Sequence, residues 1–280
     1  MAKKLITLVC SALMLTACGN EMEKKATEKL QLAQTAYEQG NYQEAKTQID
    51  SIKILYPKAF EARKAGQALM LDVENAAQQQ SLVYLDSALQ AKQQELESLQ
   101  GKFVLEKDAE YQAVGHYLWP TQVLEKNLHR SYLRFQVDET GVMSMTSIYC
   151  GKQNVHHVAV KVTASDGSFA ETPASKDSYE TTDLGEKIEK ADYKLGEDGS
   201  VIEFIHNNKD KNIKVNYLGE RPYQTTMTPA DRQAASEVYA LSQLLSSMQQ
   251  IKKEQEAAQL KIDFIRKKKE RKALEQVTEE

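Results

Sequence analysis

All five histidines, His116, His129, His156, His157 and His206, fall in the same middle stretch of the chain as Cys150. Imidazole and thiolate are ligands for zinc-class ions, and a Cys–His pair can generate a nucleophilic thiolate. The spacing argues against both. No CxxC or HExxH pattern is present, and those spacings are what place two ligands on one ion. His156 and His157 are adjacent, so an extended strand would send them to opposite faces. The expectation is exposed or core histidines, a buried structural thiol, no metal and no cofactor. No paired-carboxylate motif, nucleophile elbow or phosphate-binding loop is found, and the acids fall mostly on helices or in turns. No catalytic residue is assigned, and a non-enzymatic protein is expected.

Two further groups could bind a partner. Tyr117, Trp119 and Tyr149 are a candidate platform, because exposed aromatics on a sheet can stack on sugar rings; the other use of such residues is to plug the end of a sandwich core. Arg266, Lys267, Lys268, Lys269, Arg271 and Lys272 are a candidate contact for anionic lipid headgroups. As an alternative they are a solvated face whose cations suit a helix end through its dipole. The chain as a whole carries a net charge of −4. An acidic chain without a basic groove is not expected to bind nucleic acid.

These groups need elements to hold them. Leu82, Leu85, Leu89, Leu96 and Leu99 follow a three-four spacing interrupted at Lys92. A cleaner seam runs through Leu241, Leu244, Met248, Ile251, Gln255, Ala258, Ile262 and Ile265. Such seams belong to long helices that need a partner, and an antiparallel pair, Ala59–Leu99 with Ala230–Leu274, is the economical solution. Two separate helices packed on the middle region are the alternative. The first seam changes phase near Ala76–Gln80, where a bend or a change of packing partner is expected. Thr228-Pro229-Ala230-Asp231 is a helix start, with an N-cap hydroxyl, Pro at the first position and an acid in the first turn.

Between the helices the period becomes two. Strands are expected at Tyr132–Val137, Val142–Tyr149, around Val158, Val160 and Val162, and at Ile188–Leu195, Val201–Ile205 and Ile213–Tyr217. Gly, Asp and Asn turns separate them, which indicates an antiparallel sandwich or barrel.

At the N-terminus, Lys3 and Lys4 precede the apolar run Leu5–Leu15, too short to span a membrane and suited to a secretory leader. It ends in Leu15-Thr16-Ala17-Cys18, which resembles the lipobox of bacterial lipoproteins. The resemblance implies cleavage before Cys18 and acylation of that residue, and several acyl chains make a stable anchor. Loss of Lys3 and Lys4 would take the charge from −4 to −6. Cys10 would leave with the leader, so Cys150 would be the remaining free thiol and no internal disulfide could form. An Asp after the lipidated cysteine signals inner-membrane retention in enterobacterial members; Gly19 stands here, which favours the outer membrane.

Leu32, Ala33, Ala36-Tyr37, Gly40, Tyr42, Ala45, Ile49, Ile52 and Pro57 resemble one tetratricopeptide repeat, with Lys29 where a large residue is usual. The resemblance implies a helical hairpin capped by the next helix, since one repeat cannot bury its own face. The order is similar to that of outer-membrane assembly lipoproteins, whose repeats follow the lipobox directly; those continue with further repeats and this chain does not, so their activity is not carried over.

The expected architecture is α+β: an N-terminal helical hairpin and long antiparallel coiled-coil-like helices flanking an inserted antiparallel β-sandwich. Its parts are a signal peptide (1–17), a lipidated cysteine and tether (18–28), the hairpin and long helix (29–101), the sandwich (102–227) and a C-terminal helix (228–280) pairing with 59–101. The expected function is a membrane-anchored interaction or scaffold module of the bacterial cell envelope with a protein partner. A glycan-binding surface lipoprotein is the first alternative, and an envelope enzyme the second.

Overall fold

The computed structural model describes residues 21–99, 101–108 and 110–278. The leader, the lipobox and Cys18 lie outside the described residues. The fold is mixed helix and sheet, in two compact units: residues up to Ser87 with those from Lys253, and Ala88–Lys252.

The first unit is helical. Helix α1 (21–38) turns at Gly40, whose φ of +74° suits a residue without a Cβ. Helix α2 (Tyr42–Leu55) follows, with the Asn41 side chain accepting from the Glu44 N–H. Fully buried Ala33 and Ala45 let the two helices approach, and Ile49 and Leu69 complete their cluster. Leu32 does not join it: it is 54% exposed, and Leu30 packs instead.

Helix α3 (Phe60–Leu99) then begins. Residues 21–28, expected as tether, are instead part of α1. Ala26 is fully buried among Ile52, Ala59 and Ala62, and Glu23 Oε1 accepts the Ala62 N–H at 2.7 Å. That N–H is one of the orphan donors of a helix start, so a carboxylate remote in sequence caps α3.

Along α3, Ala62, Gly66, Leu69 and Val73 are buried, and later Leu85. Between them every residue from 71 to 78 is at least half-buried, so the phase change marks a change of packing partner. The last part of helix α5 (Pro229–Thr278) runs antiparallel to this stretch of α3. Gln255 Nε2 donates to Asp86 Oδ1 at 2.6 Å, Lys261 faces Glu74 at 3.9 Å, and Lys269 pairs with Asp72.

The second unit holds two antiparallel sheets. One has six strands in the order β1(Val104–Glu106), β2(His116–Leu118), β3(Tyr132–Asp138), β4(Met143–Gly151), β8(Glu186–Lys194), β7(Ser178–Asp183). The other orders β10(Tyr223–Thr226), β9(Ile213–Leu218), β5(Ala159–Ala164), β6(Phe169–Glu171). Leu133, Phe135 and Met145 from the first and Val160, Val215 and Tyr217 from the second share one core cluster. Leu241, Leu244 and Met248 of α5 complete it, with Leu89, Leu96 and Leu99 of α3 packed against it. The β3–β4 turn lies on α5: Ser246 Oγ donates to the Gly141 carbonyl at 3.0 Å, and a Cβ at Gly141 would stand 2.5 Å from the Ser246 nitrogen.

Two strand expectations are corrected. Val201–Asn207 is helix α4. Buried Asp198 accepts the Ile202 N–H at 2.7 Å, and Val201, Ile202 and Ile205 are all buried. That is a one-four spacing, which the alternation of Val201, Glu203 and Ile205 also fits. Val158 precedes β5 and is 44% exposed, unlike Val160 and Val162.

Leu244→Asp is expected to cost roughly 2–4 kcal/mol in denaturant unfolding, because an apolar contact is lost and a charge is left without a partner. The same change at exposed Gln243 should stay within about 0.5 kcal/mol. Equal costs would remove the seam from the core. Glu23→Ala should cost about 1 kcal/mol through loss of the α3 cap.

Candidate functional site

The structure separates the histidines. His116 is half-buried on β2 opposite Asp138, and His206 of α4 lies 3.0 Å from Ser236 Oγ and against the Tyr239 ring. The other three take part in two clusters of the second unit, each with a glutamate that the sequence spacing did not connect to them.

The first cluster joins Cys150, His129 and Glu186. Cys150 Sγ donates to Glu186 Oε2 at 3.4 Å, and His129 Nδ1 contacts the same oxygen. Burial, then the Glu186 carboxylate, push the thiol up to about 11; a reactive thiolate needs the opposite surroundings. The hydrogen bond to Glu186 likewise raises His129. Beside these groups is a cavity of about 300 Å³, lined among others by Arg130, Tyr132, Tyr223 and Asp231.

Asp231 organises that cavity. Its Oδ2 accepts the Thr228 N–H and hydroxyl, while Thr228 Oγ1 accepts the Asp231 N–H at 3.1 Å. This is a reciprocal cap on α5. Its Oδ1 accepts from Arg130 and from Gln122, and Gln122 Oε1 accepts the Phe135 N–H of β3 at 3.0 Å. The guanidinium charge is thus already matched.

The second cluster lies between the sheets. Ser147 Oγ is 2.8 Å from His157 Nε2, and His157 Nδ1 is 2.9 Å from Glu189 Oε2. Hydroxyl, imidazole and carboxylate in this order could activate a serine. Ser147 is fully buried, however, with His157 at 3% and Glu189 at 1% exposure, so a substrate carbonyl has no approach. What the arrangement does is structural. Glu189 accepts the backbone N–H groups of Val155, His156 and His157 as well as the His157 ring. Burial alone would raise its pKa, but these donors outweigh it and hold the carboxyl below its ordinary value. His156, turned outward, contacts Glu180 Oε1 at 2.8 Å.

The aromatic platform is not assembled. Tyr149 is buried, gives its hydroxyl to the Gln153 carbonyl at 2.7 Å, and packs on Tyr217 and Tyr223. Trp119 is half-buried edge-on to Phe103, and Tyr117 packs on the same core from β2. A wider hollow of about 690 Å³ has Gln136, Ser144, Asp192 and Lys194 on its walls, with Pro173, Ala174 and Tyr193 between them. The basic run divides: Lys269 turns to Asp72, Arg266 pairs with Asp263, and Lys267 and Arg271 are exposed. Among the described residues no helix is long and apolar enough to cross a membrane.

No protein-family model, curated protein or solved structure matches the chain.

Cys150 should resist alkylation at neutral pH. With a thiol near 11, roughly one part in a thousand is thiolate at pH 8, and the rate should climb towards pH 11. A rate at pH 8 matching free cysteine would contradict this environment. Glu189→Gln should destabilise the fold by roughly 2–4 kcal/mol, since buried donors lose their charged acceptor. The pH dependence follows from the lowered folded value: the contribution is present above the ordinary 4.5 and is lost as pH falls through the folded value. Wild type should therefore lose more stability than the variant on acidification below about pH 4.5.

Proposed function

We propose that this protein is a lipid-anchored, non-enzymatic interaction module of the bacterial cell envelope, held at the outer membrane through Cys18, with the two sheets packed as a sandwich. The observation that carries the reading is the Leu15–Cys18 box standing just before α1. Five residues after Cys18 in the sequence, Glu23 caps the start of α3.

Helix α5 runs to that same end, because beyond Lys269, opposite Asp72, it advances about 1.5 Å per residue towards the start of α3. Here Leu260, Phe264, Lys267, Arg271 and Leu274 recur at four-three spacing and all are exposed. A stripe of apolar residues around two cations suits an anionic bilayer surface. It narrows the headgroup contact to Lys267 and Arg271 within the run. A protonated, half-buried Cys150 and a sealed Ser147 favour a binding role over a chemical one. The inward turn of Tyr149 leaves the glycan reading without its aromatic platform.

Cys18→Ser should abolish incorporation of a fatty-acid analogue and release the protein from membranes. Undiminished label on the variant would rule out Cys18 as the acylation site. For the stripe, Lys267→Glu with Arg271→Glu should reduce flotation of the unacylated variant with vesicles containing anionic lipid; unchanged flotation would remove the headgroup contact.

A further inference from the structure

We infer that the corner between α2 and α3 is the surface on which the helical unit rests against an anionic bilayer. This rests on the lipid-anchor reading above and extends it to a second contact. The two helices meet at the short turn Tyr56–Ala59, where the Tyr56 N–H donates to the Ile52 carbonyl and the Ala59 N–H to the Tyr56 carbonyl, both at 3.0 Å. The inward positions are taken by Ile52, Ala59 and Ala62, which bury against Ala26. Ile54, Leu55 and Phe60 flank the same turn and are 74%, 56% and 69% exposed. Single exposed apolar residues are ordinary on a surface. Three large ones beside one turn make a patch of the kind that contacts a membrane or a partner.

Charge suits an anionic surface. The segment Lys53–Lys64 holds four cations, Lys53, Lys58, Arg63 and Lys64, against the one acid Glu61, in a chain of net charge −4. The three lysines are exposed, and among the described residues none is in an ion pair. Arg63 holds the turn instead, donating to the Pro57 carbonyl at 2.6 Å. Large apolar side chains set among free cations match an anionic headgroup layer: the apolar groups enter it and the ammonium groups stay at the phosphates.

Chain length favours a bilayer over a protein partner at this corner. Glu23 of α1 accepts the Ala62 N–H of α3 at 2.7 Å, so the start of α1 lies beside it. Only Gly19 and Asn20 separate Cys18 from Glu21. Three residues of extended chain span at most about 11 Å, so acyl chains on Cys18 would hold the start of α1 within that distance of the headgroups. The Gly40 turn, at the other end of the hairpin, stands about 24 Å further along α1.

The test uses the full chain purified from bacterial membranes, carrying Cys150→Ala and a fluorophore on either Glu61→Cys, beside the patch, or Gln39→Cys, at the Gly40 turn; both positions are exposed. Vesicles of phosphatidylcholine and phosphatidylglycerol containing spin-labelled lipid should quench the probe at 61 strongly and the probe at 39 little. Ile54→Ser with Leu55→Ser and Phe60→Ser should cut quenching at 61 several-fold, with the fold intact by circular dichroism. Lys53→Glu with Lys58→Glu should do the same. Equal quenching at both positions, or no response to the serine variant, would overturn the corner contact; no response to the glutamate variant would overturn the part given to the cations. Fatty-acid labelling of the same preparation separates this from the anchor. Label without quenching at 61 would leave the anchor standing and give the patch to a protein partner. Quenching at 61 without label would keep the corner contact and remove the anchor, and absence of both would overturn both.

Discussion

A buried carboxylate in the middle of the core sets the terms for the sheet-bearing unit. Glu189 stands on β8 of the six-stranded sheet, and the three backbone N–H groups it accepts lead into β5 of the four-stranded one. An ionised carboxylate away from water is costly unless its lone pairs are filled. Here they are filled by donors from the other sheet, so the requirement becomes a clamp. The same clamp decides where the two neighbouring histidines go. His157 is drawn inward to Glu189 and Ser147, and His156 is left outside with Glu180.

The helices are held by a related device. Each long helix has its first turn closed by a carboxylate. Glu23 of α1 caps α3, and Asp231 caps α5 while binding Arg130 and Gln122 from the segment before β3. Helix ends carry orphan N–H groups whatever the tertiary structure. Satisfying them with side chains that also reach other elements fixes each helix start against its unit.

These constraints shape what the protein can do. The groups that resemble catalytic machinery serve the fold: the serine, imidazole and carboxylate series is sealed between sheets, and the thiol is kept protonated by burial and by Glu186. The groups that remain at the surface are of a different kind. They include the exposed stripe on α5 and the outward His156 with Glu180. The stripe is what the proposed headgroup contact of α5 rests on, and His156 is spent on Glu180.

Much of this was readable in the residues because local periodicity is a local property. The seams along α3 and α5, the Gly40 turn and the Thr228–Asp231 cap depend on neighbours within a few positions, and β3, β4, β8 and β9 announce themselves by alternation. Where two periods fitted one segment, as at Val201–Ile205, the sequence could not decide; the Asp198 cap and a core needing Val201, Ile202 and Ile205 together did. Residues 21–28 read as a polar tether because the partner of Glu23 is Ala62, far along the chain. Glu180, Glu186 and Glu189 looked like ordinary strand acids, with no spacing that ties them to a histidine or a cysteine. Strand pairing alone brings Glu189 opposite Tyr149 and Glu186 within reach of Cys150. Short-range spacing therefore determined the elements, while the identity of each polar cluster came from long-range pairing, which no local pattern encodes.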